Sequence, residues 1–432
     1  MDSTGVQGIG EMIRKVRKEK GWRLEDLADE QISIATISNI ERGFAHVKPE
    51  KTHYLIQKLK IDPARLPRLM MKEQQDLKEL EFELKSLQLL RDTGDAALAL
   101  EHLNRLKLEA SHPYAAMFHY LKGKCYLSLR KWKEAEKFFH QAIRFSHHHE
   151  HAYSKKSNIK AVSFIELGLC AFFQNDLVQA IRYTDRGWDV YEHDGERSYA
   201  WWLLHINKAV YYERLGQLAE SMQVIQKAWE GVHQTEKKDI VITFYYLRSE
   251  ILRRSGVYDE AVTFAIKGLE LARLNGHTPL LFDLWTVLGS TYMAKEDWFK
   301  AERCFNHALR LKDRLFDDPM VECKIITAFA RLGKLYTQQK KWEQAGRVIR
   351  EAIATGEKYE DAPRLTYALQ VMGDYYQVQG RMEEGIPYYE RALALARKYN
   401  YKKRACSTLI RLPDYWRDTN REELLAYLET IS

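Results

Sequence analysis

The side chains best placed for chemistry in this chain form a recurring polar set, with nothing catalytic about it. A small residue returns every 40 to 45 positions; if it is called position 8, polar groups fall at about positions 2, 5, 6, 9, 12 and 13. They are Glu166, Asn207, Tyr246, Glu250, Arg253 and Arg254, then Asp283, Thr286 and Ser290, and finally Arg331, Lys334, Tyr367, Gln370 and Asp374. A groove lined this way could hold an extended peptide: amides such as Asn207 and Gln370 pair with its backbone, and Arg or Lys take its carboxylates. Exposed helix faces are polar anyway. The inference therefore rests on the set, in which aromatics and both charge signs interleave along one face. Asn207, in Ile206-Asn207-Lys208-Ala209, is the strongest individual candidate.

Other chemistries find no residues. No GxxxxGK[ST], GxSxG, HExxH or GxGxxG pattern occurs, so the chain reads as a non-enzyme without a cofactor. The cluster His140, His147, His148, His149 and His151 has no cysteine or carboxylate set at ligand spacing, and reads as a polar connection with no metal. Cys125, Cys170, Cys304, Cys323 and Cys406 stand singly in apolar stretches, as buried reduced thiols do. Near the N-terminus, Arg14, Lys15, Arg17, Lys18, Lys20 and Arg23 crowd one ten-residue window. Charge alone leaves two readings of that window, a phosphate-binding face or a solvated helix face.

The elements that must position these groups follow from a repeat. Seven segments carry a small residue, another twelve positions on and a third seven after that: Gly123/Ala135/Ala142, Gly168/Ala180/Gly187, Ala209/Ser221/Ala228, Ser249/Ala261/Gly268, Gly289/Ala301/Ala308, Gly333/Ala345/Ala352 and Gly373/Gly385/Ala392. An eighth, Leu87/Ala99/Leu106, keeps the middle position only, as a capping repeat would. The spacing suggests that the first and third small residues let two helices of a hairpin approach, while the middle one admits the next repeat. Tyr126, Tyr212, Tyr292, Tyr336 and Tyr376 sit three residues after the first small position, and Trp132, Trp298 and Trp342 nine after it, filling the remaining gaps.

Composition agrees with an extended helical array. At 432 residues the chain exceeds one compact core, and 22 Gly, 9 Pro, 29% charged and 45% hydrophobic residues describe a helical protein. The net charge of +7 is mild for this length. Met1 to Gly10 lacks the apolar core of a signal peptide, and no stretch approaches the ~18 apolar residues of a membrane span. These features place the chain in the cytoplasm, with no membrane partner.

The small-residue and aromatic marks resemble the tetratricopeptide repeat over roughly residues 80 to 400, although the first positions step by 36, 45, 41, 40, 40, 44 and 40 where about 34 is common. Extended repeats of this kind are similar to those of the Gram-positive quorum-sensing regulators. Separately, Ile9 to Gly21, Leu27-Ala28 and Thr36-Ile37-Ser38-Asn39-Ile40-Glu41-Arg42-Gly43 resemble the phage-repressor class of helix-turn-helix domain. The apolar pattern there gives helices over Ile9–Lys20, Leu24–Glu30, Ile34–Arg42, Pro49–Leu59 and Pro63–Met71, with Gly21 and Gly43 as stops. The resemblance implies that Leu27, Ala28, Ile37 and Ile40 are packed between helices, and Glu41 and Arg42 held in a structural network. It also implies a third helix presenting Ser33, Ile34, Ala35, Thr36, Ser38 and Asn39 to the major groove, with Arg14, Arg17, Lys18 and Arg23 near phosphate. The chain departs from the pattern at Leu24, Ile34 and Asn39, where Gln, Gln or Arg, and Arg or Lys are usual, so hydrogen-bond readout looks thin. From Leu27 to Glu41 there are fifteen residues, one fewer than in many phage repressors and like peptide-responsive regulators.

The resulting expectation is an all-α chain: a helix-turn-helix domain over 1–70, a linker helix over 71–85, about eight repeats in a right-handed superhelix over 86–405 and capping helices over 406–432. The family resemblance implies a transcriptional regulator that binds double-stranded DNA and is gated by a short signalling peptide. A homodimer or higher homo-oligomer is implied, because one such DNA module buries too little surface for specific affinity. The alternative from the same family is a scaffold that sequesters a partner such as a phosphorelay response regulator, with a weak or vestigial DNA module.

Overall fold

The computed structural model describes residues 3–42, 47–62, 66–110, 112–146, 157–315, 323–413, 417 and 420–429; no strand occurs among them. The chain divides into two compact units, Met1–Thr93 and Gly94–Ser432.

The first unit contains α1 (Ser3–Glu19), α2 (Leu24–Leu27), α3 (Ile34–Glu41), α4 (Pro49–Lys58) and α5 (Leu66–Asp92). Ile13, Leu27, Ile32, Ile37, Ile40, Leu55, Ile56, Leu59 and Ile61 are buried together, with Ala28 partly buried against them. Helix α2 is shorter than expected, and Asp29 supplies the reason. Its carboxylate accepts the backbone N–H groups of Gln31 (2.8 Å) and Ile32 (2.9 Å), the Tyr54 hydroxyl (2.7 Å) and the Lys58 ammonium. A short acid that gathers nearby N–H groups competes with helix continuation. Helix α5 is longer than expected: the Pro63–Met71 helix and the 71–85 linker are one helix from Leu66, and Pro63 lies outside the described residues. The first repeat pattern, Leu87/Ala99/Leu106, therefore straddles the two units.

The second unit opens with α6 (Ala96–Arg105) and continues as antiparallel hairpins. They are α7 (Ala115–Ser128) with α8 (Trp132–Ser146), α9 (Ile159–Phe173) with α10 (Leu177–Asp189), α11 (Tyr199–Leu215) with α12 (Leu218–Val232), and α13 (Lys238–Arg254) with α14 (Tyr258–Leu274). Next come α15 (Thr278–Ala294) with α16 (Trp298–Arg310), α17 (Lys324–Gln338) with α18 (Trp342–Lys358), and α19 (Ala362–Val378) with α20 (Met382–Lys398). Helices α21 (Lys402–Arg411) and α22 (Arg421–Glu429) close the array, so the cap starts before Cys406. Every hairpin turn passes through one left-handed residue, Arg130, Asn175, Gly216, Gly256, Glu296, Lys340 or Gly380, seven positions after the first small residue.

The packing reverses two of the roles assigned to the small residues. The first and middle positions face each other within a hairpin: Ser249 Oγ donates to the Ala261 carbonyl at 2.8 Å, and Ser221 Oγ to the Ala209 carbonyl at 2.7 Å. The third position admits the next repeat, since a Cβ at Gly187 would meet Leu204, and one at Gly268 would meet Leu284. Two helices that cross at residues twelve apart come closest there, next to the turn, and splay toward the third position to receive the following helix. The first position also receives a large side chain sixteen residues later. A Cβ at Gly123 would lie 2.6 Å from Phe139, and one at Gly289 3.0 Å from Phe305.

Candidate functional site

The first helices of successive hairpins carry one connected polar network. Arg254, ending α13, donates to the carbonyl of Glu213 at 2.9 Å and pairs with its carboxylate on α11. Arg253 grips Glu250 with two hydrogen bonds of 2.8 and 2.6 Å. Arg331 on α17 donates to Ser290 Oγ on α15 at 2.7 Å and approaches Glu250 at 3.5 Å. The last contact skips a whole hairpin, so α13 and α17 face one another across a tightly curved concave side.

The charged groups on this side act on one another. The Arg214 side chain keeps 35% of its surface open, and Glu213, Tyr246, Asp361 and Glu250 together hold its guanidinium charged against the cost of burial. Burial alone would raise the Glu250 carboxyl, but Arg253, Arg331 and Arg254 hold it down at about 2. Burial pushes the Tyr246 hydroxyl up, helped by Asp283, Glu250 and Glu213. Burial, and then the like charge of Arg214, lower the Arg404 guanidinium to about 10.

The coil also closes on itself. Arg130, in the α7–α8 turn, donates to the Tyr359 carbonyl at 3.3 Å and lies 5.7 Å from that ring's centre. Tyr401, entering α21, bonds Asn175 in the α9–α10 turn, and Lys403 lies against Gly216 in the α11–α12 turn. Early hairpin turns thus touch late inter-repeat turns.

With this geometry in view, comparison with known proteins becomes informative. Residues 324–398 match the tetratricopeptide-repeat family. The chain carries tetratricopeptide repeats. Among solved structures it is similar to the apo form of the quorum sensor NprR from B. thuringiensis, with a TM-score of 0.57 and 15% identity over 81% of this chain and 98% of that one. NprR in complex with its cognate peptide NprX gives a TM-score of 0.52 and 16% identity over 74% and 97%. A Rap protein complexed with competence and sporulation factor gives 0.52 and 14% over 80% and 99%. Against curated protein sequences the chain finds no match. At such low identity the likeness speaks for the tetratricopeptide superhelix and for nothing finer.

Within the tetratricopeptide array, the sequence-nominated groove residues fall into two groups. Asn207, Tyr246, Lys334 and Tyr367 are half-buried and make no side-chain hydrogen bond among the described residues. The others are engaged internally, some within a helix or hairpin and some between repeats. Glu166 accepts from Lys124 (2.7 Å) and Tyr120 (3.3 Å), Asp283 from Lys324 (2.5 Å), and Asp374 from Tyr389 (2.7 Å) and Arg411 (3.0 Å). Gln370 donates to Thr408 at 2.7 Å. One Glu166 oxygen, Oε2, remains buried without a partner.

The residues nominated for DNA also divide. Ser33 caps α3, accepting the Thr36 N–H at 3.2 Å, and its hydroxyl pairs with that of Thr36 at 2.9 Å. Ile34 and Ala35 are exposed, Ser38 and Asn39 half-buried, and Ile37 and Ile40 point into the core. Arg14 is half-buried, Lys18 and Arg23 exposed. Arg17 is a correction. Its guanidinium makes two bonds to Glu41 (2.6 and 2.9 Å) and one to the Trp22 carbonyl (2.7 Å), leaving little of it for phosphate. Glu41 thus has the structural role expected of it.

Sequence reasoning missed Arg214 and Arg404. Arg214 occupies the same register in its repeat as Arg254, and strict use of that register would have found it. Arg404 lies in the cap, beyond the last repeat, where no register applies. Of the histidine cluster, His147, His148, His149 and His151 lie outside the described residues; no group able to hold a metal occurs among the described ones. All five cysteines are buried and free, and burial pushes the Cys304 thiol up to about 12. No described helix is long and apolar enough to cross a membrane.

Proposed function

We propose that the chain is a peptide-responsive transcriptional regulator, holding a short peptide along the concave face of its repeats and reading DNA through its first unit. The observation that carries the peptide half is Asn207: an amide on the first helix of a hairpin, half-buried and without a side-chain hydrogen bond among the described residues. Such an amide is hydrogen-bonded to water in the free chain and is available to a ligand that replaces that water. Its donor and acceptor match the peptide backbone, which also presents one of each. The solved structure of NprR with its peptide NprX, on a similar superhelix, supports the same reading.

The DNA half is supported by the exposed edge of α3, where Ile34 and Ala35 offer contact to a thymine methyl and Asn39 an amide to adenine. A two-fold pair of chains would supply two such helices. Peptide regulates by binding one form of the superhelix more tightly than another, which shifts the population.

The test is footprinting of the full chain on the DNA upstream of its own coding sequence, with Asn39→Ala as the control. Protection that depends on Asn39 supports the reading. Absence of protection with and without peptide overturns the DNA half and leaves a scaffold for a protein partner, such as a response regulator.

A further inference from the structure

The acids around Arg214 and Arg404 are already paired with other cations. Glu213 is taken by Arg254, Glu250 by Arg253 and Arg331, and Asp361 by Arg364. Two guanidiniums remain. Arg214 has one ion pair, with its sequence neighbour Glu213 at 3.6 Å, an acid already bound to Arg254; Asp361 and Glu250, each paired elsewhere, act on it from further away. The Arg404 side chain has no hydrogen bond and no ion pair among the described residues, although the residue is half-buried.

The fold brings these two cations together from opposite ends of the array. The Tyr401–Asn175 bond and the packing of Lys403 against Gly216 dock the start of α21 onto the hairpin turns of α9–α10 and α11–α12. Arg214 is two residues before Gly216, and Arg404 is one residue after Lys403. Arg214 is the leading charge acting on Arg404, and it lowers the latter's affinity for its proton. Tyr367, on α19, is close enough for its hydroxyl to influence both Arg404 and Arg253, and that hydroxyl has no internal hydrogen bond.

Two like charges held at a docked seam share only the influence of Asp361, whose carboxylate is already bonded to Arg364, so a further bound anion relieves their repulsion. Planar guanidiniums match a carboxylate in two-point geometry. We propose that Arg404 and Arg214, with the Tyr367 hydroxyl, form a carboxylate-binding subsite of the channel, which takes the free C-terminus or an acidic side chain of the ligand peptide. The proposal deepens the peptide reading above and rests on it for the identity of the ligand. A carboxylate there ties the third hairpin from the N-terminal side to the C-terminal cap, so ligand occupancy fastens the closed form of the coil.

The experiment compares the full wild-type chain with Arg404→Gln, by thermal unfolding and by peptide retention. In the first arm the probes are glutarate, inorganic phosphate and chloride at matched ionic strength. In the second, the probes are synthetic hexapeptide libraries with free or amidated C-termini, each made with and without Asp and Glu. Wild type should melt higher in glutarate than in chloride; Arg404→Gln should lose that shift and, relieved of repulsion, melt higher than wild type in chloride. Libraries carrying a carboxylate should be retained at least about tenfold better by wild type than by the variant, as for one charge-assisted contact. Retention that survives amidation but requires Asp or Glu identifies a side chain, and loss on amidation identifies the C-terminus.

Equal glutarate shifts in both proteins, no shift in either, or stabilisation by phosphate alone overturns the carboxylate subsite. A variant less stable than wild type in chloride overturns it as well, because Arg404 would then be structural. If neutral amidated peptides bind both proteins equally, the subsite fails and the peptide reading stands. If no library is retained while glutarate still acts through Arg404, the subsite stands and the peptide reading fails.

Discussion

Glu250 and Arg331 stand 81 residues apart in sequence and 3.5 Å apart in space, joining α13 to α17 over an intervening hairpin. Neighbouring repeats in a gently curved solenoid meet only their immediate neighbours. The contact therefore measures how tightly this coil is wound, and Glu250 is bound from two sides of the channel, by Arg253 and by Arg331.

Replacing Glu250 with Gln should destabilise the repeats by about 3 kcal/mol, because two enclosed guanidiniums lose their counter-charge. Thermal unfolding of the full chain checks this. Arg331→Gln should cost less, since Arg253 still holds the acid.

The same carboxylate sets a pH dependence. Its folded value of about 2 lies below the ordinary 4.5, so its contribution is complete above pH 4.5 and disappears as pH falls toward 2. His119 adds an earlier step. Burial, with Lys122 nearby, lowers its imidazole from 6.5 to about 4, so stability begins to fall below pH 6.5 and is lost through pH 4. Melting temperature against pH should show the first decline removed in His119→Gln and the second in Glu250→Gln.

Arg17→Ala should loosen the first unit by roughly 3 kcal/mol, for it strands the Glu41 carboxylate, which is 6% exposed. Hydrogen exchange over α1 to α4 would report the loss. Lys18→Ala and Arg23→Ala, at exposed positions, should leave exchange unchanged while weakening any DNA binding and reducing its salt dependence.

Gly123→Ala should cost about 1–3 kcal/mol, since its new methyl would lie 2.6 Å from the Phe139 ring. Gly123→Ala combined with Phe139→Leu should recover part of that loss. A simple additive cost would show that the two positions do not share the space the structure gives them.

Much of this architecture was legible in the chain. The recurring small residues located all seven hairpins because a close helix crossing tolerates no bulk, and that constraint repeats with the fold. The division of labour among them was less legible: spacing along the chain does not say which of two small residues faces the partner helix and which the next repeat. Polar groove positions were legible as a register and ambiguous as a role. Glu166 and Asn207 hold the same position in adjacent repeats, yet Glu166 meets Lys124 across the interface while Asn207 meets no hydrogen-bonding partner. Arg17 was misread for a related reason, because a basic residue on an amphipathic helix looks the same whether it faces phosphate or an acid distant in sequence. The seam joining Asn175 to Tyr401 spans 226 residues, a separation that no local pattern encodes.

The central claim is that the concave face is a peptide channel, and Asn207→Ala tests it most directly. The experiment is retention of a free-carboxylate hexapeptide library by wild type and by the variant, with the melting temperature of each measured in parallel. The account expects retention to fall by about tenfold, the worth of a hydrogen-bonded amide pair, with the melting temperature unchanged, because no internal bond is lost. Equal retention by both proteins, or a variant that melts lower in the absence of peptide, would contradict it.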